Sequence, residues 1–126
     1  MATQDLYLFK ELTHQIIGAA MEVHRILGSG YLESVYHEAL AHELHLLNAH
    51  YIREVKLQVK YKGIIAGDFR ADFIVDDKVV VEIKAISSMT RADEAQITNY
   101  LRCTGKRVSL LINFDKPSLE YRRFVL

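Results

Sequence analysis

Near residue 50 the hydrophobic rhythm of this chain changes, and few folds accommodate both halves. Phe9, Leu12, Ile16, Ile17, Ala20, Val23, Ile26 and Leu27 fall at helical spacing until Gly28, Ser29 and Gly30 interrupt them. A second amphipathic helix is predicted from about Leu32, with Val35, Ala39, Leu40, Leu44 and Leu47 on one face, ending near Asn48. The two read as an antiparallel helical hairpin. Then the period becomes two: Val55, Leu57, Val59 and Tyr61 alternate with Lys56, Gln58, Lys60 and Lys62, a strand with one wet face.

Gly63 marks a turn into a second strand, from about Ile65 to Val75. Alternation puts Phe69, Ala71, Phe73 and Val75 on one side and Asp68, Arg70, Asp72 and Ile74 on the other. Asp76, Asp77 and Lys78 form a polar turn, and Val79 to Ile86 makes the third strand. Thr90 and Asp93 have the spacing of a capping box that opens a helix from Arg91 to about Cys103, with Gly105 suited to its end. Arg107 to Phe114 reads as a buried strand parallel to the third, because strand–helix–strand crossovers favour parallel pairing. Tyr121 to Leu126 adds a short edge strand. The order is ααβββαβ(β), an α/β fold in one domain over residues 1–126.

Composition narrows the function classes. Half the residues are hydrophobic, 25% are charged and one is proline, which describes a globular chain with one core. One cysteine, Cys103, excludes an internal disulfide and a cysteine-ligated zinc or iron–sulfur centre, and suits a reducing cytoplasm. No apolar run is long enough for a bilayer, and Met1 to Lys10 lacks a signal-peptide layout, so a cytoplasmic protein is expected. The net charge is zero but uneven: residues 1–50 carry two basic and six acidic side chains, residues 51–126 fourteen and ten. A basic second part can meet phosphate, and an ordinary solvated surface explains it equally well.

The sharpest chemical feature is the hairpin around Asp76–Lys78. With an odd loop centred on Asp77, paired residue numbers sum to 154, and Asp72 stands opposite Glu82 with Cβ atoms ~5 Å apart. A two-residue loop would instead put the carboxylates on opposite faces. In the first register they can share one hard cation, and Glu82 and Lys84 lie on one face. The segment from Val79 to Ile86 has an interior-strand composition with two charges in it, and buried charges need a partner, a metal or water. On spacing alone, a Glu82–Lys84 ion pair or a wet strand face is as good a reading as a metal site.

The spacing Asp72-x9-Glu82-x-Lys84 resembles the signature of the PD-(D/E)xK nuclease superfamily, and the chain is similar to its small bacterial GxxExxY family. That resemblance is carried by Glu22 to His24, Leu27 and Gly28, Gly30 to Tyr36, Arg70 to Asp72, Val81 to Ala85, Gln96 to Leu101 and Leu110 to Phe114. It implies a restriction-endonuclease-like core, a mixed central sheet flanked by helices, that cuts phosphodiester bonds with Mg²⁺ or Mn²⁺. Asp72 and Glu82 would be metal ligands, with Glu33 an additional or water-mediated one. Lys84 would orient or help deprotonate the attacking water. Gln96 and Tyr100 look like the QxxxY element that supports the metal site and the substrate strand. Ala71 stands where the signature has proline.

Bland readings stand beside these. Glu33 also suits the first turn of its helix through the dipole. Gln96 and Tyr100 also fit a surface amide and a half-buried ring. Arg70 would pair with Lys84 in the proposed register, to contact phosphate or face water. His24 reads as a hydrogen-bonded group near the core, and His37, His42 and His45 as surface histidines. Gly28 and Gly30 do not make a phosphate loop, and Cys103 has no evident catalytic partner.

The expected function is a metal-dependent nuclease acting on nucleic acid, with DNA as substrate. The rivals are a nucleic-acid-binding protein without cleavage and a protein-interaction module with an apolar patch around Tyr7, Phe9 or the Tyr121–Leu126 tail. A homodimer is compatible with a domain of this size.

Overall fold

The computed structural model describes residues 8–126, so Tyr7 lies outside the described residues. Helices α1 (Lys10–Leu27) and α2 (Glu33–Leu46) precede strands β1 (Tyr51–Tyr61), β2 (Ile64–Val75) and β3 (Val79–Lys84). Helix α3 (Arg91–Thr104) then leads to β4 (Val108–Asn113) and β5 (Glu120–Val125). The element order is the expected one. The strands form one mixed sheet in the order β1-β2-β3-β4-β5. All neighbours are antiparallel except β3 and β4, which are parallel as the crossover through α3 requires.

Both central strands are covered on both faces, which explains their continuous apolar runs. On one face, Ile16, Ala20 and Val23 of α1 and Tyr36, Leu40 and Leu44 of α2 meet Phe73, Val81, Ile83, Leu110 and Ile112. On the other, Ile97, Tyr100 and Leu101 of α3 meet Leu57, Ala71, Ile74 and Val80. The start of α3 is a full capping box: Thr90 Oγ1 accepts from Asp93 N–H and Asp93 Oδ2 accepts from Thr90 N–H. Gly105 ends the helix at φ 70°. Phe9 is half-buried against the first core, whereas Tyr121 and Leu126 are exposed.

One departure from simple alternation shapes the molecule. Phe69, Ala71, Phe73 and Val75 share a parity, yet Phe73 and Val75 face α1 and α2 while Phe69 and Ala71 pack with α3. The same change occurs on β1 between Tyr51 and Val55. The paired register passes from Arg53↔Phe73 to Val55↔Ala71, and Glu54 between them sits at φ 49°. The two strands therefore roll over together at Glu54 and Asp72, and Val55, Leu57, Phe69 and Ala71 beyond that point belong to the second core, while Tyr61, Ile64 and Ile65 at the tip are exposed.

The loop 28–32 between the first two helices is tied down from within. Tyr36 is fully buried and stacks on Phe114 at 4.6 Å and 10°. Its hydroxyl donates to the Gly28 carbonyl at 2.6 Å and accepts from the Tyr31 N–H at 3.2 Å. Gly30, at φ 109°, supplies a backbone conformation that side chains disfavour. This latch sets where α2 begins, and hence where Glu33 stands. Tyr36→Phe keeps the stacked ring and loses both hydrogen bonds. It should lower stability by about 1–2 kcal/mol, read as a shifted urea midpoint with an unchanged slope.

Candidate active site

The β2–β3 ladder runs Val75↔Val79, Ile74↔Val80, Phe73↔Val81 and stops. Its residue numbers sum to 154, as the odd loop predicts, and Asp72 and Glu82 stand at the next position, where the backbone pairing has ended. Here the two carboxylates replace backbone carbonyls as acceptors. Glu82 Oε1 accepts from Asp72 N–H at 2.8 Å, and Asp72 Oδ2 accepts from Ile83 N–H at 2.7 Å. The strands part beyond this exchange, and the site lies in the opening.

Two residues further on, Lys84 ends β3 and reaches toward α3, with its Nζ 3.9 Å from Asp93 Oδ1. Its positive charge is felt by Asp72, Glu82 and Glu33. Glu33 is the first residue of α2 and lines a cleft of ≈ 280 Å³ with Ser34, His37, Glu38, Glu54 and Asp72. On the other side Gln96 Nε2 donates to the Tyr100 hydroxyl at 2.9 Å, and the Tyr100 ring meets Phe69 edge-on at 5.7 Å. Tyr100 feels the charges of Glu82 and Asp72. The structure thus gathers Asp72, Glu82, Lys84, Glu33 and Tyr100, with Gln96 attached through Tyr100.

Arg70 is not part of that group. Because β2 and β3 pair no further than Phe73↔Val81, Arg70 stands opposite Lys56 of β1 rather than opposite Lys84. It is exposed beside a second depression lined by Lys56, Gln58, Asp68 and Phe69.

The histidines divide. His42 and His45 are exposed, as expected, and His24 Nε2 is 2.8 Å from the Lys116 carbonyl oxygen. His37 corrects the surface reading: it is 8% exposed and stacks on Phe73 at 4.5 Å and 20°. Its signal was in the sequence, since His37, Leu40, Ala41 and Leu44 have the i, i+3, i+4, i+7 spacing of one helix face.

Electrostatics single out the carboxylate pair. Glu82 is pushed up to about 8, first by burial and then by the negative charge of Asp72. Asp72 is also raised by burial, with the Ile83 N–H partly offsetting it. Glu33 is raised by desolvation and by Asp72. Burial, followed by Glu82 and Asp72, pushes the Tyr100 phenol up to about 12. Near neutral pH, then, this site holds a proton where two negative charges would repel.

Hard oxygen donors that carry a proton for want of a positive charge fit a small divalent cation. Among the described residues, no three His, Cys, Asp or Glu side chains form a cage for a metal ion.

The sequence profile of the PD-(D/E)XK nuclease superfamily matches residues 10–124. The solved protein SSO0001 superposes with a TM-score of 0.58 at 19% identity, over 97% of this chain and 61% of its own. At that identity the likeness speaks for the fold alone. An alkaline exonuclease from Laribacter hongkongensis, LHK-Exo, superposes with a TM-score of 0.47 at 14% identity, over 86% of this chain and 68% of its own. No curated protein matches the sequence significantly. The superfamily profile spans both helical layers and the whole sheet around the Asp72–Glu82 opening, and the chain belongs to the PD-(D/E)XK nuclease superfamily.

Proposed function

We propose that this protein is a metal-dependent nuclease of the GxxExxY branch, acting in the bacterial cytoplasm to hydrolyse phosphodiester bonds in DNA. What carries the reading is the pair of buried Glu82 and half-buried Asp72, joined across parting strands and flanked by Lys84. Asp72 and Glu82 would hold Mg²⁺ or Mn²⁺, with Glu33 contributing directly or through water. The cation would neutralise charge developing on the phosphate and make a nucleophile available near neutral pH. In the reaction, water adds to phosphorus and the ester P–O bond breaks, leaving a phosphate monoester and a hydroxyl.

Each chain residue has a physical task. Backbone N–H groups hold one oxygen of each carboxylate, which fixes the pair for a ligand. Lys84, restrained near Asp93, puts positive charge where negative charge accumulates and orients the attacking water. Gln96 directs the Tyr100 hydroxyl beside the carboxylates, toward the substrate strand. Lys56 and Arg70 face each other on the hairpin two residues beyond Glu54 and Asp72, roughly 7 Å along the strands. They offer the next phosphate of a bound strand a basic contact.

The decisive assay compares wild type with Lys84→Ala on labelled single-stranded, duplex and branched DNA, with Mn²⁺, Mg²⁺ or chelator. Wild type should cut only with metal, and Lys84→Ala should lose activity by on the order of 10²-fold or more. Absence of cutting by wild type, with binding indifferent to Mg²⁺, would favour a binding protein on a nuclease scaffold. Lys56→Ala combined with Arg70→Ala should weaken DNA binding and flatten the salt dependence, lowering the log–log slope by about 2.

The carboxylate pair also predicts a pH signature. Folded Glu82 titrates at about 8, above its ordinary value of 4.5. The stability it contributes is therefore complete below the unfolded value and lost as pH rises through the folded one. Without metal, the melting temperature should fall from about pH 5 to about pH 9. Glu82→Gln should flatten that decline. At the alkaline end Mg²⁺ should raise the wild-type melting temperature and leave that of Glu82→Gln unchanged.

A further inference from the structure

His37 stands beside this site with one nitrogen bonded and the other bare. The guanidinium of Arg53 lies 3.0 Å from Nδ1 through Nη2, and also holds Glu38 of α2. A guanidinium only donates hydrogen bonds, so Nδ1 must be the acceptor. In the neutral ring the proton is then on Nε2. That nitrogen is buried and has no hydrogen-bond partner. The nearest carboxylate oxygen, Asp72 Oδ1, is 3.9 Å away, beyond hydrogen-bonding range. Stacking on Phe73 holds the ring in place, and His37 lines the cleft that contains Glu33 and Asp72. A buried donor left without an acceptor is costly, and the ring that carries it borders the cleft between Glu33 and Asp72.

Resting on the nuclease reading above, we propose that His37, fixed by Arg53 with its proton on Nε2, donates a hydrogen bond to a non-bridging oxygen of the substrate phosphate. Arg53 is then a positioning residue that acts through the ring. A phosphate oxygen supplies the acceptor that Nε2–H lacks, whereas a cation cannot. The tautomer that Arg53 selects also keeps Nε2 from ligating metal, because a ligating nitrogen must be free of its proton. The acidic lining of Glu33, Glu38, Glu54 and Asp72 would repel a phosphate arriving alone. A divalent ion on the carboxylates would reverse that repulsion, so the His37 contact forms only with metal present.

The test uses the protein of residues 1–126 and needs no turnover. Long-range ¹H–¹⁵N spectra should show the His37 proton on Nε2 and a bare Nδ1, and Arg53→Met should mix the tautomers. Mg²⁺ alone should leave Nε2 protonated, and adding thymidine 5′-monophosphate should then shift the Nε2 proton resonance. A proton on Nδ1, loss of the Nε2 proton on adding Mg²⁺, or no response to the nucleotide would each overturn the proposal. The last would be decisive whether or not the protein cuts DNA. Where wild type does cut, His37→Phe keeps the ring without the donor and should lower kcat/KM on the order of 10²-fold. His37→Gln, which returns an N–H near Nε2, should recover most of it, with Mg²⁺ affinity by calorimetry unchanged in both. Failure of wild type to cut, with the nucleotide response intact, would sink the nuclease reading and spare the phosphate contact. Equal cutting by His37→Phe would show that the histidine serves packing alone.

Discussion

The exchange of hydrogen bonds between Asp72 and Glu82 is the constraint on which the site depends. An antiparallel ladder normally continues through backbone carbonyls. Here each side-chain carboxylate takes an N–H from the facing strand instead, Glu82 from Asp72 and Asp72 from Ile83. The substitution does two things at once. It satisfies backbone donors that would otherwise be orphaned where the strands part. It also anchors two carboxyl groups in a region from which water is largely removed, where ionising both is hardest to sustain. The rest follows from that opening: α2 and α3 cover opposite faces of the sheet and bring Glu33 and Tyr100 to its two sides.

Much of this was legible in the chain because register is a discrete quantity. Once the Asp76–Lys78 loop is odd, Asp72 can only face Glu82, and a one-residue error would have separated them. The capping box and the parallel β3–β4 pair were equally legible, because each rests on local chemistry or on chain connectivity. The roll of β1 and β2 at Glu54 and Asp72 was not. Alternation tells which residues share a side but not which layer covers that side, and nothing in the identities of Ala71 and Phe73 announces that they serve different cores. Arg70 was misplaced for a related reason: a ladder extrapolated from its turn assumes that pairing persists, and here side chains end it.

His37 shows a different kind of miss. Compared with His42 and His45 it looked like one more polar residue on a helix. Compared with Leu40, Ala41 and Leu44 it belongs to the buried stripe. The second comparison is the physical one, since position on a helix face decides burial and residue type decides only what burial costs. Burial here is eased on one side by Arg53 and left open on the other.

Asp93 joins two demands in a single side chain. Its Oδ2 closes the capping box with Thr90, and its Oδ1 faces the Lys84 ammonium. The first turn of α3 and the end of β3 are therefore not independent variables for evolution or for engineering. An uncharged N3 residue that starts the helix leaves the lysine without this acidic neighbour, and an acid that reaches the lysine without bonding Thr90 loosens the helix. Position 93 is thus constrained from two directions, although it lies outside the carboxylate pair itself.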